Sequence, residues 1–168
     1  LLLIGGTRAR AAVIYVNAAA AGTHNGTSWA TAYADLRAAI AAAHANDEIW
    51  VAGGTYKPTA GTDRTIYFEL KSNVRYYAGF AGTETARSQR DTLAHETILS
   101  GEIGTPAQTD NSYSVVIGAA GVVLDGFTIT GGYDPQSSGG GIYMDSVSPT
   151  IVGCWFHDNV AGYGAGVF

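Results

Sequence analysis

Glu102, Asp110, Asp125, Asp145 and Asp158 are the acidic residues of this chain best suited by type to cleave a glycosidic bond. Such chemistry needs two carboxyls about 5–9.5 Å apart, one to protonate the leaving oxygen and one to attack or to activate water. Asp125 sits in Leu-Asp-Gly-Phe, where a short acidic side chain bonding its own backbone makes a turn, and that reading outweighs catalysis. Asp158-Asn159 reads the same way. Arg64, Lys71, Arg75, Arg87 and Arg90 bring the other chemistry, proton abstraction next to a uronate carboxyl with neutralisation of that carboxylate. Arg75 should point outward beside Val74, whereas Arg87 and Arg90 fall in a polar stretch, 81–97, where loop-anchoring salt bridges are the simpler expectation. No catalytic role is assigned; the candidates are Glu102, Asp125 and Arg75.

Aromatic residues offer binding rather than bond breaking. Trp50, Tyr77, Tyr133, Tyr143, Trp155 and Tyr163 could form a flat strip on which sugar rings stack, with some of them in the core instead. Calcium is an expectation from oxygen-rich loops alone, since neither Asp-x-Asp-x-Asp nor a Gly-Gly-x-Gly-x-Asp nonapeptide occurs. His24, His44, His95 and His157 lack paired spacing, so zinc has little support. Cys154, the single cysteine, reads as a buried inert thiol. There is no Gly-x-Ser-x-Gly elbow and no P-loop lysine. Asn25-Gly-Thr is a glycosylation sequon, relevant only on a eukaryotic secretory route.

The elements that must carry these groups follow from composition and period. Hydrophobic residues make up 46% of the 168, charged residues 14%, and Gly 23 residues, which suits many short strands joined by tight turns. The net charge of -5 without a basic stripe argues against nucleic acid and anionic membranes. No apolar run reaches the roughly 18 residues of a membrane span. Residues 1–12 combine Leu1-Leu2-Leu3-Ile4 with the small-x-small pattern Ala9-Arg10-Ala11, as in the tail of a secretory signal or in a leader.

Residues 13–16 read as a strand, Asn25-Gly26 as a turn, and Thr31 as the N-cap of a helix over about 31–45 ended by Asn46-Asp47. Beyond it the apolar positions Ile49, Val74, Leu99 and Leu124 recur every 25 residues, with Ile151 two residues late. Ile117, Ile142 and Val167 repeat the spacing, and Gly101, Gly126 and Gly153 would stack two residues on. Such a period predicts an all-β solenoid with one coil per repeat, a single-stranded parallel β-helix with an N-terminal capping α-helix. Residues 13–48 would be the cap and 49–168 the coils, interrupted at 168 with an open C-terminal coil through which copies would self-associate.

Several segments also carry a family likeness: Ile14-Tyr-Val-Asn, Gly26-Thr-Ser-Trp-Ala, Asp35-Leu-Arg-Ala-Ala-Ile, Asp47-Glu-Ile-Trp-Val-Ala-Gly-Gly-Thr-Tyr-Lys-Pro, Gly79-Phe-Ala-Gly-Thr-Glu-Thr, Ile98-Leu-Ser-Gly-Glu-Ile-Gly and Leu124-Asp-Gly-Phe-Thr-Ile-Thr-Gly-Gly. In these the chain resembles the N-terminal region of bacterial pectin-lyase-like right-handed β-helix proteins, including large surface proteins of the polymorphic outer-membrane type. The resemblance implies a secreted or cell-surface location and a polysaccharide or surface glycan as partner. Two functions follow from it. One is a non-catalytic module for adhesion, display or carbohydrate contact; the alternative is a polysaccharide lyase or glycoside hydrolase acting on acidic polysaccharide.

Overall fold

The computed structural model describes residues 11–168, so the expected leader falls outside the described residues except for Ala11 and Ala12. Val13–Val16 forms β1 with Ile14 and Val16 turned inward, as the alternation of a half-buried strand requires. The only α-helix among the described residues, α1, runs Leu36–Ala42. It is shorter than the expected 31–45. Thr31 belongs to a separate 3-10 turn, Trp29–Thr31, and the cap is Asp35, whose carboxylate accepts the Arg37 N–H at 2.8 Å. Alanine would continue the helix, but the His44 N–H is diverted to Asp47 Oδ2 at 2.8 Å while Asp47 Oδ1 holds the Ala12 N–H at 2.8 Å. That buried carboxylate ends the helix and ties it to the residue that leads into β1.

The remaining strands are β2 (Glu48–Ala52), β3 (Gly54–Tyr56), β4 (Phe68–Glu69), β5 (Arg75–Phe80), β6 (Thr97–Ser100), β7 (Val116–Ile117) and β8 (Val123–Asp125). They continue as β9 (Phe127–Thr130), β10 (Tyr133–Ser138), β11 (Ile142–Tyr143), β12 (Thr150–Val152), β13 (Trp155–His157) and β14 (Val160–Tyr163). They divide among four separate sheets, ordered β1-β2-β5-β8-β12, β3-β6-β9-β13, β4-β7-β11 and β10-β14. Every strand pairing among them is parallel.

This arrangement corrects the expected all-β solenoid of uniform 25-residue coils. In the five-stranded sheet Ile14 lies opposite Ile49, Ile49 opposite Tyr76, Tyr76 opposite Leu124 and Leu124 opposite Ile151, steps of 35, 27, 48 and 27 residues. Val74 precedes its strand, and Leu99 belongs to the four-stranded sheet, opposite Tyr56 and Ile129. Ile142 pairs with Val116 rather than Ile117, although its bridge to Val167 keeps the expected step. Gly101 meets Gly131, not Gly126. Leu36, Ala39 and Ile40 of α1 are buried in the same core as Ile49, Phe68, Tyr76, Leu99, Leu124 and Phe127. Four small parallel sheets, three of them sharing one core with a helix, and no closed coil among the described residues fit an α/β-type arrangement better. Each large side chain so buried contributes roughly 1.5–3 kcal/mol. Among the described residues no helix is long and apolar enough to cross a membrane.

Candidate functional site

Six of the sequence-selected residues, Trp50, Tyr77, Arg75, Arg87, Arg90 and Asp125, converge on the outer side of the five-stranded sheet. Trp50 and Tyr77 alternate with the inward Ile49 and Tyr76, yet they are only 5% and 7% exposed. The Trp50 ring stacks on Phe80 at 4.8 Å and meets the Tyr15 edge at 5.7 Å, while Trp29 packs on Tyr15 at 4.8 Å. The 81–97 loop supplies the polar cover. Arg87 lies over the Tyr77 ring at 4.4 Å and bonds Glu48 at 2.9 Å; Arg90 bonds Asp125 at 2.7 Å. Arg75 Nε stands 3.8 Å from the same Glu48, which also accepts the Trp50 indole N–H at 2.9 Å.

A lyase base or a hydrolase acid has to present a free group to substrate. Here Asp125, Arg75, Arg87 and Arg90 are engaged with partners inside the protein. Glu84 holds the same loop in shape. Burial alone raises its carboxyl, but the N–H groups of Ala81, Gly82, Thr83 and its own backbone together bring it below the usual carboxylate range.

Glu102 stands apart, just past β6, its N–H donating to Ser100 Oγ at 3.2 Å. Asp110 is held by the Thr105 hydroxyl and N–H, which lower its carboxyl. Asp145 accepts from Ser146, and Asp158 bonds the neighbouring His157. Arg64 donates to the carbonyls of Asn111 and Tyr133, both at 2.6 Å, with its guanidinium 4.0 Å from the Tyr113 ring. Tyr143 stacks on Phe168 at 5.7 Å, and Tyr163 is 72% exposed. Burial pushes the Cys154 thiol up, so it stays protonated beside the core. No group of three or more His, Cys, Asp or Glu among the described residues could hold a metal ion.

The accessible chemistry lies on the outer face of the four-stranded sheet. Tyr56, Leu99, Ile129 and Phe156 form its inner row, so Thr55, Ile98, Thr128 and Trp155 make one outer row, and Ser100, Thr130 and His157 another. Trp155 is 62% exposed and its ring centroid is 4.4 Å from that of His157. His157 Nδ1 bonds Asp158 at 2.8 Å, with the Thr130 hydroxyl at 3.4 Å. One strand inward, Thr128 donates to Glu96 at 2.8 Å. In comparisons with known protein families, curated proteins and solved structures, none matches this chain.

The three tryptophans differ in what they leave free. Trp29 donates its indole N–H to the Glu84 carbonyl at 2.9 Å and Trp50 donates to Glu48. Trp155 donates to no protein acceptor among the described residues, and most of its ring is open. An amphipathic ring with an unused donor suits a ligand that has an apolar face and hydroxyls together. Composition alone did not separate Trp155 from Trp50. The distinction comes from packing, since the Trp50 ring stacks on Phe80 and meets Tyr15 whereas Trp155 is exposed.

Proposed function

We propose that the chain is a non-catalytic glycan-contact module of the cell exterior, with Trp155 as its stacking platform. The observation that carries this reading is the open indole of Trp155, whose N–H has no acceptor among the described residues and whose neighbours are His157, Thr130, and the Thr128–Glu96 pair. A pyranose lays its C–H face on such a ring while its hydroxyls reach the indole N–H and the flanking polar groups. The absence of a bond-breaking step in the proposal is supported by the ion pairs that engage Asp125 with Arg90 and Glu48 with Arg87.

The test is retention on immobilised polysaccharides. Wild-type chain should be retarded by at least one glycan of a neutral and acidic panel, Trp155→Ala should run unretarded with an unchanged melting temperature, and Tyr163→Ala should behave as wild type. Equal retention of wild type and Trp155→Ala would remove the platform. Release of unsaturated uronides or new reducing ends from the panel would replace the module with an enzyme.

A further inference from the structure

An edge strand carries unpaired backbone, and this fold covers one such edge while leaving another bare. Beside β1, the Tyr15 N–H donates to the Gly26 carbonyl and the Asn17 N–H to the Tyr33 carbonyl, both at 2.9 Å. β4 has β7 as its one neighbouring strand. The Phe68 and Leu70 N–H groups donate toward it, to Val115 at 2.9 Å and Ile117 at 3.0 Å. Residues between such partners turn their N–H and C=O to the opposite side of a parallel ladder. Glu69 is that residue, with Tyr67 in the same phase, and among the described residues neither makes a backbone hydrogen bond.

Tyr67 and Glu69 line an open groove of about 600 Å³ between α1 and the 65–72 segment, with the buried Ile40 and Leu70 at its floor. A bare strand edge in a groove accepts an added strand. The main chain of the guest supplies the hydrogen bonds, and its alternate side chains fill the apolar floor. Charge narrows the guest further. Arg75, Arg87 and Arg90 face carboxylates, and Arg64 is held by two carbonyls. Arg37 and Lys71, which also line the groove, have no carboxylate within 4 Å among the described residues. Each is steadied by one carbonyl, Pro58 for Arg37 and Ala41 for Lys71, both at 3.2 Å. Complementarity therefore favours an acidic guest. A carboxylate directly opposite Glu69 would be repelled, so the acidic positions belong on its flanks.

We infer that β4 is a docking edge for an extended acidic segment of a partner protein, seated as an added strand beside α1. The inference goes beyond the glycan reading and does not depend on it, since none of its residues belongs to the Trp155 face.

Selection of random heptapeptides displayed on phage against the full chain tests it, followed by calorimetric titration with the enriched sequence as a free peptide. Enriched sequences should carry at least two carboxylates, with apolar residues at alternate positions. Binding should weaken on the order of tenfold in the Arg37→Gln/Lys71→Gln double variant and weaken with added salt. It should fall by a similar factor when alternate amides of the peptide are N-methylated, and stay unchanged in Trp155→Ala. Glu69→Pro removes the groove-facing N–H and leaves the ladder to β7 in place, because proline is accepted on an edge strand. That variant should lose binding, whereas Glu69→Gln should bind at least as tightly as wild type. The N-methylated peptide asks the same question of the unaltered chain, so the test stands even where Glu69→Pro does not fold. No enrichment, enrichment of neutral or basic sequences, or equal affinity for the N-methylated peptide would overturn the inference. Binding lost in Trp155→Ala and kept in the double variant would move the peptide to the other face and sink it. Dimers in scattering with no peptide enriched would give the edge to a second copy of the chain, and overturn it as well.

Discussion

Arg90 and Asp125 stand 2.7 Å apart across the boundary between the 81–97 loop and β8, and the same guanidinium donates to the carbonyls of Ala78 and Asp125. Three acceptors from two neighbouring strands therefore meet one side chain of the loop. Because the pair is largely shielded from water, removing either partner strands the other charge. Asp125→Asn and Arg90→Gln should each cost about 1–3 kcal/mol, and the double variant should cost clearly less than their sum. Chemical denaturation of the four proteins measures the coupling; strict additivity would show the contact to be incidental.

Thr92 seats the same loop on two glycines. A Cβ built on Gly79 would fall 2.8 Å from the Thr92 backbone, and one on Gly126 would fall 2.5 Å from its methyl group, with φ of +89° and +86°. Gly79→Ala should therefore lift the loop off β5, costing about 1–3 kcal/mol, because both the clash and the backbone angle oppose it. Gly126→Ala should cost less, and combining it with Thr92→Ser should restore part of the loss. Proteolytic nicking within 81–97 reports the lifting; equal nicking of wild type and Gly79→Ala would contradict it.

Alkali should unfold the chain through its buried phenols. Burial pushes Tyr56 from 10.0 up to about 12, and its hydroxyl donates to the Ala52 carbonyl at 2.9 Å. Burial likewise raises Tyr76. The folded chain holds these protons more tightly than the unfolded one, so the stabilisation is complete below pH 10 and is lost as pH rises toward 12. For Tyr56 the loss is on the order of 3 kcal/mol. Tyr56→Phe should flatten that part of the stability–pH curve at a neutral-pH cost of about 1 kcal/mol. A denaturation midpoint that does not change between pH 9 and 12 would rule this out.

Local features were readable from the sequence where local chemistry decides them. The strand at 13–16 matches its alternation, and Asn25-Gly26 turns with Gly26 at φ +70°. The helix was overestimated because alanine propensity carries no sign of a distant competitor; Asp47 claims the His44 N–H that another turn would have used. The 25-residue ladder failed because several apolar columns share one core, so a regular spacing of aliphatic residues mixes members of different sheets. Leu99 entered the wrong column for that reason.

Site legibility divides along the same line. Residue type marked Trp50 and Trp155 equally, and only the folded packing separates them, with Phe80 and Tyr15 against Trp50 while Trp155 stays exposed. Arg37, Tyr67 and Glu69 drew no attention in the sequence, since the groove exists only where α1 passes the 65–72 segment.

The parallel pairings also govern how this chain must be made. Among the described residues no strand pairing closes over fewer than 25 residues, and the longest spans 48. The described residues hold no hairpin to zip, so each ladder must overcome the entropy of a long loop before its first hydrogen bonds form. Refolding from denaturant should take milliseconds to seconds or longer, with strand edges unpaired meanwhile. The price of this connectivity is kinetic: dilution and low temperature during refolding should decide the yield, more than any single contact in the finished molecule.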